Sequence, residues 1–342
     1  MSEKKPENGT AAGDRLEAVR GALISWFVEH GRDLPWRYTR DPYHVLVSEV
    51  MLQQIQVTRA VPFYLAFLER FPTVEALAGA PIAEAIRVWG DLGRYRRVVN
   101  LHRTARLVVE EHGGEIPPDP EVLATFPGIG PYTAGAVACF AFERDVPFVD
   151  TNMRRVLHRL FFGPEVPDAR AKDREILSVA AELVPRGRGW EWNQALMELG
   201  ALRCTARRPL CDECPVADGC RARGDILEAL SASPRAAKKP VYRYKGSNRY
   251  YRGRALAKLR EAPEEGVTLR DLGAALRDGF TEADLPWVEG VARSLEKDGL
   301  AVLDGAKPAP GTPDIVAEER PAYGAEASTG AGETAAVRVR LP

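Results

Sequence analysis

The chain has few cysteines, no long apolar run and almost no net charge, and each of these absences excludes a class of protein. Five cysteines in 342 residues are too few for the disulfide framework of a secreted domain. No apolar run reaches the ~20 residues of a membrane-spanning helix, and the polar N-terminus lacks the apolar segment of a secretory signal. A net charge of −1 indicates no partner by itself. We therefore expect a cytoplasmic protein of two or three globular domains.

Nearly all of the thiol chemistry is concentrated in one short loop. Its cysteines follow the spacing C-x6-C-x2-C-x5-C and are Cys204, Cys211, Cys214 and Cys220. The residues between them are mostly polar and include two prolines and a glycine, as in a loop that wraps a small group. Four thiolates this close can hold a tetrahedral zinc ion or an iron–sulfur cluster. The fifth cysteine, Cys139, lies in an apolar stretch, and we expect it to be a buried apolar residue.

A glycine turn precedes a helix in the middle of the chain. Residues 127–130 read Pro-Gly-Ile-Gly, and Pro131 suits the first turn of the helix that follows. Gly128 and Gly130 allow backbone N–H groups to converge on an anion at that helix N-terminus. This pattern predicts the phosphate-binding turn of a helix–hairpin–helix motif. The alternative is an ordinary glycine connection between two helices.

Two carboxylates are candidates for acid–base chemistry. Glu49 lies in the apolar stretch VLVSEVML, where burial would raise its pKa and make it a proton donor near neutral pH. Asp150 follows an apolar run and precedes a predicted helix. The alternatives are a glutamate at a solvated helix edge and an aspartate that only caps a helix.

The periodicity predicts an all-α body followed by a smaller module. Helices are expected at 14–30, 43–54, 58–70, 73–79, 82–90, 94–112, 120–125, 131–143, 151–162, 172–184 and 191–202. Three further helices (249–261, 268–277, 281–297) and two strands (300–304, 336–341) predict a winged-helix-like α+β domain at 249–342. Residues 1–13 and about 306–334 are expected to be disordered, and 14–224 to form the main domain.

A basic linker, residues 225–248, joins the two domains, and the cationic stretch continues into the second one. From Arg235 to Arg260 the chain has ten cationic residues and no acidic one, with four tyrosines interleaved. Such a stretch suits a phosphate backbone and exposed bases. The alternative is a segment that its charge merely keeps solvated.

From about Arg32 to Cys220 the sequence closely resembles the MutY family of adenine DNA glycosylases, in the endonuclease III superfamily. The likeness is carried by the cysteine spacing and by RDLPWR (32–37), DPYHVLVSEVMLQQ (41–54), NLH (100–102), PGIGPYTAGAV (127–137), VDTNMRRV (149–156) and WNQALMELGALRCT (192–205). The resemblance implies a helix–hairpin–helix glycosylase fold, a six-helix barrel beside a helical domain with a 4Fe–4S cluster. It also implies a monomer that binds duplex DNA containing a mispaired adenine and flips that base into a cleft.

The resemblance also implies a role for each matching residue. Glu49 would protonate ring nitrogen 7 of adenine, and Asp150 would stabilise or capture the sugar cation, which is the two-carboxylate logic of glycoside hydrolysis. Tyr132 and Asn152 match positions near the sugar and the aspartate, and Gln54 matches a residue that fills the stack near the opposite base. The adenine pocket would be lined by Arg32, Trp36, Leu52 and Gln194.

One matching position and several departures refine the expected reaction. Tyr132 stands where endonuclease III-like enzymes have a Schiff-base lysine, so we expect a monofunctional glycosylase. Arg94 replaces a family tyrosine, Ile55 a threonine and Thr151 a glycine, and the family's Nudix-like C-terminal domain is replaced by the winged-helix-like module. Preference for 8-oxoguanine over guanine opposite adenine therefore stays open.

Two other functions remain possible from the sequence. A mismatch thymine or uracil glycosylase of the same superfamily could share the cluster, the hairpin, Tyr132 and Asp150. A non-catalytic DNA-binding protein could keep the scaffold and read DNA with its C-terminal module. The sequence around Glu49, with Gln194, favours adenine over thymine. The joint presence of Glu49, Tyr132, Asp150 and Asn152 favours a catalyst over a binding protein.

Overall fold

The computed structural model describes residues 9–167, 169–233, 244–305 and 337–342. These contain the helices Gly9–His30 (α1), Pro42–Leu52 (α2), Val57–Arg70 (α3), Val74–Ala78 (α4), Ile82–Trp89 (α5), Arg96–His112 (α6), Pro120–Leu123 (α7), Pro131–Phe142 (α8), Thr151–Phe161 (α9), Asp173–Leu183 (α10), Gly189–Leu202 (α11), Ile226–Ala232 (α12), Asn248–Glu261 (α13), Leu269–Leu276 (α14) and Leu285–Glu296 (α15). The strands are Val267–Thr268 (β1), Val302–Asp304 (β2) and Arg338–Arg340 (β3).

The predicted helices between residues 43 and 202 are all present, with ends within two residues of the predicted ones. The first helix differs most, since α1 begins at Gly9 and not at Asp14. Residues 9–13 have no apolar periodicity, so no sequence signal indicates that the helix extends into the predicted tail. The predicted disordered loop at 306–334, the first eight residues and much of the basic linker lie outside the described residues.

The chain divides into two compact units: Met1–Glu49 with Ile116–Lys239, and Val50–Glu115 with Pro240–Pro342. In the first unit, α11 packs against α1, α9 and α8. Trp192, Leu196 and Leu199 of α11 are buried, as are most residues of α8. Most residues of α8 and α11 are buried, so these two helices form the core of this unit.

In the second unit, α6 packs against α4 and α5, and the C-terminal residues form a compact α+β arrangement. We call residues 244–305 and 337–342 the C-terminal module. Its three helices pack on one another, and its antiparallel sheet has the order β1-β3-β2. Val339 in the central strand is fully buried and pairs with Val267 and Leu303. The edge strand β1 is only two residues long, and the sequence pattern did not predict it.

Two arginines of the basic stretch are engaged inside the C-terminal module. Arg254 donates to the carbonyls of Leu276, at 2.8 Å, and Ala275, where helix α14 ends. Arg252 is paired with Asp298. Carbonyls at a helix C-terminus attract cations, which explains why Arg254 turns towards them. Arg252 and Arg254 therefore connect helices of the module. Neither of the two interpretations of the basic stretch, phosphate binding or solvation, predicted this role.

Within the described ranges, none of the helices combines the length and apolar character needed to cross a bilayer.

Candidate active site

The predicted acid, Glu49, is a buried carboxyl. It lies near the end of α2, and only 4% of it is exposed because Val45, Leu46 and Val50 of the same helix are buried too. Its pKa is raised to about 7, chiefly by burial and in part by the charge of nearby Asp150, while a hydrogen bond from Tyr132 opposes the shift. A glutamate at a solvated helix edge is thereby excluded. Near neutral pH this carboxyl can either donate or accept a proton.

Tyr132 holds Glu49 from the first turn of α8. Its hydroxyl donates a hydrogen bond to the Glu49 carboxylate, and its ring meets the edge of Phe148, with centroids 5.5 Å apart. Gly135, one turn later, allows Phe148 this close, since a Cβ there would lie 2.7 Å from the Phe148 Cβ. Burial, and then the charges of Glu49 and Asp150, raise the pKa of Tyr132 well above its ordinary value. The phenol therefore stays neutral and remains a donor.

Asp150 is both a helix cap and a neighbour of Glu49. Its Oδ1 accepts a hydrogen bond from the Met153 backbone N–H at 2.6 Å, which caps α9. Its Oδ2 accepts from the Asn152 side-chain amide at 3.2 Å. Burial raises the pKa of Asp150, against the hydrogen bonds from Met153 and Asn152. The cap is present and fixes the carboxylate in position, and a catalytic role for Asp150 stays a prediction.

A hydrogen-bonded series connects Asp150 to the cysteine loop. Asn152, which donates to Asp150, accepts at Oδ1 from Arg155 at 2.9 Å. Arg155 also donates to the carbonyls of Gly200, at 2.7 Å, and Cys204, at 2.7 Å. Gly200 lets α11 approach closely, since a Cβ there would be 2.8 Å from the Asn152 Cβ. The position of Asp150 therefore depends on the start of the cysteine loop, through a residue that the sequence did not single out.

Replacing Arg155 by lysine is expected to lower enzymatic turnover by roughly tenfold or more. A lysine cannot reproduce the guanidinium fork, so acceptors on Asn152, Gly200 and Cys204 lose donors. Leaving a buried acceptor unsatisfied costs about 1–3 kcal/mol. Single-turnover kinetics and thermal unfolding of Arg155→Lys would measure both effects. The matched control is Arg154→Lys, because Arg154 forms only a surface pair with Asp173. An Arg155→Lys protein as fast as the control would show that the series is dispensable.

Two residues predicted for the adenine pocket belong to one buried ionic network. Glu198 is fully buried and is paired with both Arg32 and Arg37. Arg37 also donates to Gln194 Oε1 at 2.9 Å. Burial alone would raise the pKa of Glu198, but hydrogen bonds and charges from Arg32 and Arg37 hold it below its ordinary value. The carboxylate thus stays ionised and orients the side chains of Arg32 and Gln194.

Glu198 and Arg37 were not among the predicted site residues. A signal was present, because Glu198 stands alone among apolar residues in α11, as Glu49 does in α2. A buried acid of this kind must either pair with cations, as Glu198 does, or take up a proton near neutral pH, as Glu49 does. The third predicted pocket residue of this unit, Trp36, is buried in a short 3-10 turn, Pro35–Arg37. The structure therefore places Arg32, Trp36 and Gln194 with the two carboxylates in the first unit, and their contact with a base remains a prediction.

The other two base-contacting candidates belong to the second unit. Leu52 is the last residue of α2, and Gln54 follows it in a turn. Gln54 is exposed and has φ of +60°, a left-handed conformation that is rare outside glycine. Strained backbone of this kind is concentrated at ligand-contacting sites. The conformation is compatible with the predicted role of Gln54, which stays a prediction.

The predicted phosphate turn has the required backbone. Gly128 has φ of +75°, and Gly130 caps α8, where Pro131 occupies the first helical position. Both glycines are exposed, whereas Ile129 between them is buried and fixes the turn against the fold. Exposed N–H groups at the start of a twelve-residue helix suit an anion. Phosphate binding here remains a prediction.

The four loop cysteines border one pocket. Cys204, Cys211, Cys214 and Cys220 line it together, and within the described residues no three ligating side chains converge closely enough to hold a single metal ion. Arg159 lies beside the pocket, with Nη1 3.5 Å from the Cys204 sulfur. A cationic donor next to a thiolate suits an anionic cluster with four cysteine ligands. The residues therefore fit the predicted 4Fe–4S group.

Cys139 does not belong to this pocket. It is fully buried in α8, and Asn193 donates a hydrogen bond to its sulfur at 3.4 Å. Burial raises the pKa of the Cys139 thiol to about 12, against the effect of that hydrogen bond. The prediction that it is a buried apolar residue is confirmed.

Two family models match the chain. The model of the HhH-GPD superfamily of base excision DNA repair proteins matches residues 47–182, and that of the iron-sulfur binding domain of endonuclease III matches residues 204–220. The second match spans the four loop cysteines from first to last. It favours an iron–sulfur cluster over the zinc alternative.

Similar proteins that are named adenine DNA glycosylase come from bacteria and from animals. An adenine DNA glycosylase of Mycolicibacterium smegmatis is 45% identical over 241 residues, which cover 70% of this chain and 80% of that protein. The Mycobacterium tuberculosis adenine DNA glycosylase is 39% identical over 292 residues, 84% of this chain and 92% of that protein. The human adenine DNA glycosylase is 42% identical over 235 residues, which cover 64% of this chain and 43% of that protein.

Solved structures share the fold. A thermostable thymine-DNA glycosylase has a TM-score of 0.58 and 28% identity, covering 63% of this chain and 99% of its own. Endonuclease III in a non-covalent DNA complex has a TM-score of 0.53 and 22% identity, covering 61% and 97%. The predicted all-α helix–hairpin–helix fold is confirmed, while the winged-helix label for the C-terminal module stays a prediction.

Proposed function

Because the chain belongs to the adenine DNA glycosylases of the HhH-GPD superfamily, we propose that Glu49 and Asp150 are its catalytic pair. The enzyme is a DNA glycosylase of base excision repair that removes adenine, and its loop of four cysteines binds a 4Fe–4S cluster. The observation that carries the proposal is the burial of Glu49, which brings its pKa to about 7, beside a second carboxyl that is fixed by a helix cap.

Glu49 and Asp150 divide the reaction between them. Protonated Glu49 donates to ring nitrogen 7 of the flipped adenine, and the glycosidic bond breaks with its electron pair moving to the base. The sugar becomes an oxocarbenium-like cation, which the Asp150 carboxylate stabilises or captures. Glu49, now ionised, accepts a proton from the attacking water, and an abasic sugar results. Each carboxyl ends in its starting protonation state.

Tyr132 and Asn152 position these two groups. Tyr132 donates to the Glu49 carboxylate and Asn152 donates to Asp150. Tyr132 has no amine that could form a Schiff base with the sugar, so the enzyme releases the base without cutting the backbone. Arg32 and Gln194, oriented through Glu198 and Arg37, line the adenine pocket with Trp36.

The cluster has a structural part in this scheme. Cys204, Cys211, Cys214 and Cys220 would hold it, and their ligation would fix residues 204–220, where the Cys204 carbonyl accepts from Arg155. The duplex substrate carries adenine opposite 8-oxoguanine or guanine, and the phosphate is bound at Gly128 and Gly130. We place the enzyme, as a monomer, with the chromosome in the cytoplasm.

The rate of base release is expected to fall as the pH rises through about 7. Only protonated Glu49 can donate to the base, and its raised pKa keeps a large protonated fraction near neutrality. A glutamate with its ordinary pKa of 4.5 would place the same fall more than two pH units lower. Single-turnover rates between pH 5 and 9 on one adenine-containing duplex would measure this. A rate that is flat between pH 6 and 8 would contradict Glu49 as the acid.

Base release from three matched duplexes tests the proposed substrate. One sequence is prepared with A:8-oxoguanine, A:G or T:G, and release is followed with and without alkali. Adenine release with nicking only in alkali is the expected result, and the ratio of the two adenine rates reports the preferred opposite base. Release from T:G alone would support the thymine alternative, which the fold shared with the thymine-DNA glycosylase keeps relevant.

A further inference from the structure

The C-terminal module contacts α6 and the turn before it at two places in the second unit. At the first, Arg96 lies 3.9 Å from Asp298, which also pairs with Arg252 of α13. Gly299 fits against Val99 and Arg103 of α6, since a Cβ on it would lie 3.7 and 3.6 Å from their side chains. The C-terminal module therefore packs against α6, a helix of the same unit.

The second contact is made by Arg260, near the end of α13. Its guanidinium pairs with Asp91 and lies 5.8 Å from the ring centroid of Tyr95. Arg59 of α3 also donates to the Asp91 carbonyl. Only 15% of the Arg260 side chain is exposed, so this cation is committed to the turn. We call residues 90–95 the α6 turn. Two arginines, Arg260 and Arg59, therefore contact this turn through Asp91.

The α6 turn has a backbone that needs such support. Gly90, Gly93 and Arg94 all have positive φ, at +58°, +77° and +52°. Arg94 is an exposed arginine in the left-handed region, which is unfavourable for a residue with a Cβ. A conformation of this kind persists only when its surroundings determine it. Arg260 and Arg59 are two of those surroundings.

The α6 turn leads directly to Arg97, which holds the end of α2. Arg97 Nη1 donates to the carbonyls of Val50, at 3.0 Å, Met51, at 2.8 Å, and Gln53, at 2.9 Å. Its other terminal nitrogen donates to Gly93 of the turn at 3.3 Å, and the guanidinium lies 5.4 Å from the Trp89 ring centroid. One buried cation thus ties the α6 turn to the residues that immediately follow Glu49.

We propose that Arg260 makes the C-terminal module a positioning element for base excision. It fixes the α6 turn, the turn orients Arg97, and Arg97 holds the end of the helix that carries Glu49 and the Gln54 turn. The inference rests on the proposed function, since it assigns Arg260 an effect on the step that Glu49 performs. Arg260 itself contacts neither base nor sugar, and acts through Arg97.

The test is a charge reversal in the full-length enzyme. Arg260→Asp is expected to lower the single-turnover rate at saturating enzyme by roughly tenfold, because small displacements of a catalytic group reduce rates steeply. The Asp91→Arg variant should lower it as well, and the Arg260→Asp, Asp91→Arg double variant should recover most of the loss. Arg270→Asp is the matched control, since it makes the same charge change at an exposed pair with Glu282 in the same module.

The readouts separate positioning from the alternatives. Positioning lowers the saturated rate and leaves the dissociation constant for duplex DNA equal to that of the Arg270→Asp control. An unchanged rate, or weaker DNA binding at an unchanged saturated rate, would overturn the inference and leave Glu49 as the acid. Failure of the double variant to recover would also overturn it.

A structural readout keeps the inference testable if the wild-type enzyme releases no adenine, which would contradict the proposed function. Amide hydrogen exchange at residues 52–56 and 90–97 should be faster in Arg260→Asp than in Arg270→Asp. Equal exchange in both variants would show that Arg260 does not hold the α6 turn.

Discussion

Replacing Glu49 by glutamine is expected to slow adenine release by about 10²- to 10⁴-fold, the usual contribution of a general acid. Glutamine has nearly the same shape, so it fills the same buried site, but it has no acidic proton to give to the base. Affinity for the duplex should stay close to the wild-type value. Single-turnover kinetics and equilibrium DNA binding would measure the two effects. A glutamine variant with more than a tenth of the wild-type rate would exclude Glu49 as the proton donor.

The same variant is expected to be more stable than the wild type above neutral pH. Folding raises the pKa of Glu49 from 4.5 to about 7, so between these values the folded state keeps a proton that the unfolded state has lost. The free energy of unfolding therefore falls as the pH rises across this window, and the cost is complete above about pH 7. Glutamine removes this dependence. Thermal unfolding at pH 5 and pH 8 should show a much larger gain at pH 8 than at pH 5.

Replacing Asp150 by asparagine is expected to lower the rate by about 10²-fold or more, because the sugar cation then faces a neutral amide. Asparagine caps helices as well as aspartate does, so the hydrogen bond from the Met153 N–H should survive. Folding stability should change little while the chemistry is lost. The single-turnover rate and the melting temperature of Asp150→Asn would show whether the rate falls without a loss of stability.

A variant that tests only the cap completes this experiment. Asp150→Ala removes both the charge and the cap, and losing a cap costs about 1 kcal/mol of stability. If Asp150→Asn and Asp150→Ala lose stability equally, the asparagine does not preserve the cap. If Asp150→Asn retains the wild-type rate, Asp150 is a structural residue only, which was the alternative interpretation of the sequence.

Much of the fold was predictable because helix formation depends on neighbours in sequence. Apolar periodicity placed each helix from 43 to 202 to within two residues, and the cysteine spacing identified the cluster loop. The two-residue strand β1 was missed, because a pattern so short has no periodicity to detect. The start of α1 was misplaced because residues before Asp14 have weak signals of either kind.

The candidate site was predictable only in part, and the reason is the range of the interactions. Glu49 could be found because its apolar neighbours are adjacent in sequence. Glu198 pairs with arginines more than 160 positions away, and Arg155 reaches Cys204 across 49 positions. The residues adjacent to an arginine in sequence do not indicate which group it will pair with in the folded protein. The partners of Arg254 and Arg260 in the basic stretch could not be predicted for the same reason, since they are carbonyls and a carboxylate brought near by folding.

The sequence by itself determined which segments are helical, which cysteines can hold a metal or a cluster and which glutamate lies among apolar neighbours. These properties follow from composition and spacing along the chain. Only the tertiary structure decided that Asp150 is at once a cap and a neighbour of Glu49, and that the C-terminal arginines fasten helices and the α6 turn. The pKa of a carboxyl and the partner of a cation depend on groups brought together by folding, and distance in space cannot be read from distance in sequence.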